Sequence, residues 1–343
     1  GVARAIAVDS SGRFLLAGEN ESGRAVVVRL LANGSPDTGF GTNGSQVVDP
    51  TGEGSVARAI AVLPDGRILL AGRAVSASTT RAFVTRLEPD GALDASFGTY
   101  GAGTSLIGTG SALNALALLP DGKAIAAGHV TIGNRKAFHV VKLADDGTPD
   151  PGFGDSGETI YANGPFDNEA NALALMPGGR IAVFGRFFVG TNWEAIGLRL
   201  HPGGNLDAFL SVQVTSQGNG LDTEAYAVAA QPDGKVLVGG RHGPSRFFVM
   251  RLLPSTFEPD LTWANINPAL SNFASYGGFA NSATGMVIEP VTGRTTLSLQ
   301  ATNQAQGAAR ILAPAPPAVV IYQNGPAQLQ AGAPEVLDGP APP

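Results

Sequence analysis

The residues able to do chemistry are sparse. The four histidines, His129, His139, His201 and His242, lack the spacing of a zinc site, and with no cysteine in the chain thiolate metal sites and disulfides are excluded. Asp145, Asp146 and Asp150, with Asp155 beyond, carry enough carboxylate oxygen for calcium but not the ligand order of an EF-hand. No metal or other cofactor is therefore expected, and calcium is the alternative. No G-x-S-x-G, P-loop or H-E-x-x-H is present. A glycosidase carboxylate pair would have to assemble in space from distant segments, and nothing in the sequence selects one. These absences favour a chain that is not an enzyme.

Other recurring residues read as architecture. A basic residue stands before the last apolar position of one repeated strand, at Arg29, Arg86, Lys142, Arg199, Arg251 and Arg310. These cations would either ring a channel as an anion site or pair with turn aspartates of the same or next repeat, and the pairing is favoured. Phe40, Phe97 and Phe153 recur at one place per repeat, which suits wedges between repeats rather than a stacking platform. The preceding Asp37, Asp94 and Asp150 suit hydrogen bonding to the backbone of the next turn.

What positions these residues is a repeat. ARAIAVLPDGRILLAG at 57–72 is echoed at 3–18, 114–128, 171–185, 226–240 and, worn, 284–299. The turn glycines fall at Gly12, Gly66, Gly122, Gly179, Gly234 and Gly293, about 55 residues apart. Each repeat resolves into four short strands, a to d. In the second, b is 57–63, the turn is Pro64-Asp65-Gly66, c is 67–72 and d is 82–87. A second turn leads through LDASFG to the next a strand at 104–108. Other a strands are expected at 45–49, 158–162, 211–216 and 318–322. Four strands per 50–60 residues is the period of a β-propeller, and ring closure removes the sheet edges an open stack would expose. The expected fold is all-β: a six-bladed propeller over 1–322, its ring closed by 318–322 completing the first blade.

Composition agrees. Among 343 residues, 47 Gly and 24 Pro with 15% charged residues suit short strands and many turns. A net charge of −6 argues against a nucleic-acid partner, and no apolar run is long enough to span a membrane. The chain starts at Gly1 in an alternating strand, as after removal of a signal peptide or in a fragment.

The pattern P-D-G-[RK]-x-L-x-x-G, followed by A-F-x-x-x-R-L-x-x-D-G-x-L-D-x-x-F-G, resembles the delta-60 repeat, a propeller repeat family of large secreted bacterial proteins. Repeats 2 and 3 match nearly throughout and repeat 1 well. Repeats 4 and 5 lose the F-G half, and repeat 6 keeps little beyond Gly293-Arg294. The resemblance implies an extracellular or cell-surface setting and carries no catalytic residues.

Alternating strand direction puts the b–c turns and d–a connections at one end, and the a–b and c–d loops at the other. The second set varies between repeats, so binding is expected there. The candidates are Tyr161, Phe166, Phe187, Phe188, Asn192 and Trp193, with Trp263, Asn272 and Tyr276 as a second group. Aromatic rings beside amides suit a protein or a glycan partner. The tail, 323–343, has a linker's composition. Leu329, Val336 and Leu337 are its anchors, expected on a neighbouring subunit or partner, with the propeller's own rim as the alternative. The functional expectation is a secreted or surface module that binds a partner or builds an assembly. A carbohydrate-active propeller enzyme is the alternative, which a His–carboxylate pair or convergent carboxylates at the loop end would favour.

Overall fold

Every repeat folds as an antiparallel sheet because its apolar residues alternate and its turns carry the residues tight turns need. A computed structural model describes residues 1–98, 103–212, 221–244 and 246–260, together with the backbone of 274–277, 280–288, 295–301, 306–311, 319–323 and 335–337. The chain forms two compact units, each described by itself below: 1–170 with 203–205, and 171–202 with 206–343.

The first unit contains three sheets, each in chain order. They are β1 (Val2–Val8), β2 (Phe14–Glu19), β3 (Ala25–Leu30) and β4 (Ser45–Val48); β5 (Ser55–Val62), β6 (Ile68–Ser76), β7 (Thr79–Leu87) and β8 (Thr104–Ile107); and β9 (Ser111–Leu118), β10 (Ala124–Ile132), β11 (Arg135–Leu143) and β12 (Glu158–Tyr161). The second unit holds most of β13 (Asn168–Leu175), with β14 (Ile181–Phe188), β15 (Trp193–Leu200) and β16 (Leu206–Val212). It also holds β17 (Thr223–Ala230), β18 (Val236–His242), β19 (Arg246–Leu252) and β20 (Ala274–Gly277). Its last sheet is β21 (Ala280–Ile288), β22 (Thr295–Ala301), β23 (Gln306–Ile311), β24 (Val319–Gln323) and β25 (Glu335–Leu337).

This order corrects the expected phase. Each a strand pairs with the d strand before it, as Ala25↔Val48, Ala82↔Ile107 and Phe138↔Tyr161 show, so the sheet runs b-c-d-a. The d–a connection is itself a folded hairpin: Leu30↔Pro36, Leu87↔Leu93 and Leu143↔Pro149 are bridged across it. The first sheet is thereby complete within residues 2–48. The strand expected to complete it, 318–322, lies instead in β24 and pairs with β23. The fourth repeat's a strand also begins earlier than expected, at Leu206, and 213–216 lie outside the described residues. In the tail, Val336 pairs with Val320 and Leu337 with Val319, so its described part extends its own sheet. Leu329 lies outside the described residues.

The core lies between successive sheets. In the first unit Ile60 and Val62 pack against the core of the first sheet, and Leu116 and Leu118 against that of the second. Phe40, Phe97 and Phe153 are buried. A Cβ at Gly91 would lie 3.0 Å from the ring of Phe40, and one at Gly147 only 2.6 Å from Phe97, so each ring wedges under the next repeat's turn. The fourth repeat lacks that phenylalanine. Phe257 fills its place in the second unit, buried, with its ring centroid 5.6 Å from that of Phe184. Phe184 faces Gly197 across the sheet, where sheets two and three pair Ala71 with Val84 and Ala127 with Val140. This large-for-small exchange keeps the layer filled.

The repeated cations are structural. Arg29 donates to Asp37 at 2.8 Å, Arg86 to Asp94 at 2.5 Å, Arg199 to Asp207 at 2.6 Å and Arg251 to Asp260 at 2.6 Å, and Lys142 lies 3.4 Å from Asp150. Arg86 also donates to the carbonyl of Asp145 in the next repeat at 2.5 Å. Arg29 and Arg86 lie 4.5 Å over the rings of Phe40 and Phe97. The aspartates accept from the following turn as expected, Asp94 from Ser96 N at 2.9 Å and Asp150 from Gly152 N at 3.1 Å. The side chain of Arg310 lies outside the described residues.

Candidate functional site

The first strand of a sheet carries a β-bulge. Its register shifts between Ala3 and Ala5, Ala57 and Ala59, and Ala225 and Ala227, and its partner's shifts between Ala127 and Gly128, so Arg4, Arg58, Asn114 and Tyr226 are the extra residues. A bulge re-aims its side chain. All four carry a polar group. Opposite stand Gly18, Gly72, Gly128 and Gly240. A Cβ at Gly72 would meet the carbonyl oxygen of Val56 at 2.0 Å, so only glycine allows the strands this close. The next residue of each second strand is also polar: Glu19, Arg73, His129 and Arg241. Bulge and polar position both lie toward the a–b and c–d loops.

In the first unit β1 neighbours β5 and β5 neighbours β9. Arg4 binds Glu19 at 2.5 Å. Arg58 Nη1 donates to Asn114 Oδ1 at 2.6 Å, and Asn114 Nδ2 donates to the carbonyl of Ala170 at 2.7 Å. The adjoining Glu169 is buried, with Oε1 3.1 Å from His129 Nδ1 and Oε2 3.5 Å from Lys136 Nζ. The approach to His129 is an ion-pair distance without hydrogen-bond geometry, since His129 Nδ1 is buried and makes no hydrogen bond among the described residues. Burial, and then the charge of Arg73, hold the pKa of Arg58 below its ordinary value. The Nε atoms of both arginines are buried without a partner, and Arg73 has no carboxylate within ion-pair reach among the described residues.

The second unit builds the same positions differently. Buried Glu224 accepts from Arg186 at 2.6 Å and from Tyr226 Oη at 2.7 Å, and it pairs with Arg241. Burial and the bond to Glu224 raise the Tyr226 pKa. Here the cations are matched by carboxylate.

The other histidines do different work. His139 is buried in β11, its Nε2 2.8 Å from Glu158, whose pKa that hydrogen bond lowers against the effect of burial. His242 Nδ1 lies 3.0 Å from Thr223 Oγ1, and His201 Nε2 3.5 Å from Asp207. His129 lies in β10 and His242 ends β18. The aspartates considered for calcium are engaged in turns and pairs: Asp146 accepts from Thr148, and Asp150 from Lys123 at 2.8 Å.

The aromatic candidates divide between the units. In the first, Tyr161 ends β12 half-buried and Phe166 is exposed, its carbonyl accepting from Asn168. In the second, Phe187 is buried and Phe188 packs against Trp193 at 5.3 Å. Arg186 lies 4.3 Å over the Trp193 ring, whose backbone N–H donates to Asp222 at 2.9 Å. Asn192 caps its turn through its carbonyl. One face of Trp193 is thus already used within the protein. Trp263 and Asn272 lie outside the described residues, and Tyr276 is described only as backbone paired with Phe247.

At the opposite end of the first unit a cavity of about 370 Å³ is lined by Val8, Val62, Leu118, Pro64 and Pro120. It is apolar, and its carboxylate, Asp9, is bound to Arg13 at 2.6 Å.

Comparison with known proteins bears on the fold. Residues 10–40, 63–97, 119–153 and 231–255 match the family described as Domain of unknown function (DUF5122) beta-propeller. These are β-propeller repeats. The match supports that class of repeat and not the narrower delta-60 assignment. A search of curated proteins gives no match. Among solved structures, the periplasmic gluconolactonase PpgL of Pseudomonas aeruginosa is 13% identical over 93% of this chain and 88% of its own, with a TM-score of 0.53. Drosophila Semaphorin 2a is 8% identical over 94% of this chain and 69% of its own, with a TM-score of 0.55. One of these propellers is named as an enzyme, so the expectation of a non-enzymatic chain is overturned. The bulge residues were missed in the sequence, although their signal is there: a polar residue between the two alanines of ARA at 3–5 and 57–59, and NA or YA where the echo continues.

Proposed function

We propose that the protein is a hydrolase acting on a small polar ester or lactone at the loop end of its first strands. The observation that carries this reading is His129 with its Nδ1 3.1 Å from buried Glu169, whose neighbour Ala170 is joined through Asn114 to Arg58. A carboxylate at one ring nitrogen orients an imidazole and leaves the other for proton transfer. In the reaction, His129 Nε2 takes a proton from water as its oxygen attacks the carbonyl carbon. The carbon–oxygen bond to the leaving alkoxide breaks, and the proton passes to that alkoxide. Arginine nearby stabilises the charge that develops on oxygen.

The gluconolactonase name borne by a protein of similar fold directs the first assays to sugar-acid lactones. The same neighbour is periplasmic, and no helix among the described residues is long and apolar enough to cross a membrane, which together support an envelope setting. We also take the sheets to be the six blades of a β-propeller spanning 1–322.

Proton release from lactones and simple esters tests the reading. Wild type should turn over at least one, and His129→Gln should lose about 100-fold or more with an unchanged melting temperature. Equal rates in the two proteins would remove His129 from the mechanism.

A further inference from the structure

Arginines buried in this protein are matched by carboxylates. Arg29 has Asp37, Arg86 has Asp94, Arg199 has Asp207 and Arg251 has Asp260. The pair on β5 and β6 breaks the pattern. Arg73 stands opposite Val56, and Arg58 bulges out two residues further along β5. In the fifth sheet the corresponding pair is Arg241 opposite Glu224, and there the carboxylate accepts from the arginine. Val56 therefore occupies the place of the counter-ion. The described residues leave Arg58 with one amide acceptor and Arg73 with none.

Two neighbouring guanidiniums, partly withdrawn from water, with no carboxylate in ion-pair contact among the described residues and only the more distant charges of Glu169 and Glu19 acting on Arg58, are costly to keep. The cost is recovered when an anion arrives, because two oxygens of a carboxylate or phosphate can take parallel N–H donors from a guanidinium fork. The position suits a ligand as well: both arginines lie at the loop end, and Arg58 is joined through Asn114 to the strand that carries Glu169.

We propose that Arg58 and Arg73 form a subsite for the anionic oxygen group, carboxylate or phosphate, of a small ligand. It rests on the reading that a ligand occupies the loop end of the first strands, but not on hydrolysis taking place there. If hydrolysis does take place, the subsite selects acidic substrates or holds the carboxylate that ester cleavage produces.

Titration calorimetry at low ionic strength tests this with two probes, gluconate for carboxylate and inorganic phosphate for phosphate. Wild type should bind at least one, and the tighter probe tells which group the site prefers. Arg73→Gln and Arg58→Gln should each weaken binding about tenfold or more, and Arg24→Gln, altering an exposed arginine paired with Asp49, should leave it unchanged. Val56→Glu is the decisive variant. It installs the counter-ion that Glu224 supplies in the fifth sheet, so it should abolish binding while the protein melts no lower than wild type. Melting temperatures and circular dichroism check that each variant is folded. Folded Arg73→Gln and Val56→Glu proteins that bind as wild type does would overturn the proposal, as would wild type binding neither probe. Anion binding as in wild type by a folded His129→Gln protein that has lost lactone turnover would support the subsite separately from the hydrolase reading.

Discussion

Arg86 joins three parts of the structure: the carboxylate of Asp94, the face of Phe97 and a carbonyl of the next repeat. Phe97 is wedged beneath Gly147, so Phe97→Ala should cost about 3–5 kcal/mol, as large buried truncations do. Chemical denaturation measures it, and a change below about 1 kcal/mol would contradict the wedge. The aspartates of these pairs also set an acid limit. At Asp94 the Ser96 and Arg86 bonds outweigh burial and hold the carboxyl well below its usual range. At Asp150 the Lys123 bond leads, and the pKa falls from 3.8 to about 2. A depressed folded-state pKa gives stability that is intact above the unfolded value and lost as pH falls through the folded one. The melting temperature should thus hold down to about pH 4 and drop between there and pH 2, and Asp150→Asn should make that drop shallower. These residues were legible from recurrence alone. Arg58 and Arg73 were not, because what distinguishes them is a missing partner across a strand pair, which depends on register.

At the scale of the element, the b, c and d strands follow from alternation and the turn triplets, and the structure has them where the sequence indicates. The phase of the blade did not follow. A chain repeating a-b-c-d is the same string as one repeating b-c-d-a, and only the hydrogen-bond partner of each a strand separates them. Bulges escape the sequence for a related reason: an extra residue changes pairing without changing composition. The glycine opposite is its clearest trace. Gly72→Ala should destabilise more than Gly12→Ala, since a Cβ at Gly72 meets a carbonyl oxygen at 2.0 Å while one at Gly12, though strained by a φ of 75°, meets nothing within 4 Å. Denaturant midpoints compare the two, and equal losses would mean that β5 and β6 can separate at the bulge at no cost.

At the scale of the whole molecule, function rests on where a ligand lies. A crystal structure of the protein soaked with gluconate tests that most directly. The account predicts a carboxylate between Arg58 and Arg73, with the rest of the molecule extending towards His129. Gluconate bound instead beside Trp193, or in the turn-end cavity lined by Pro64 and Pro120, would contradict it.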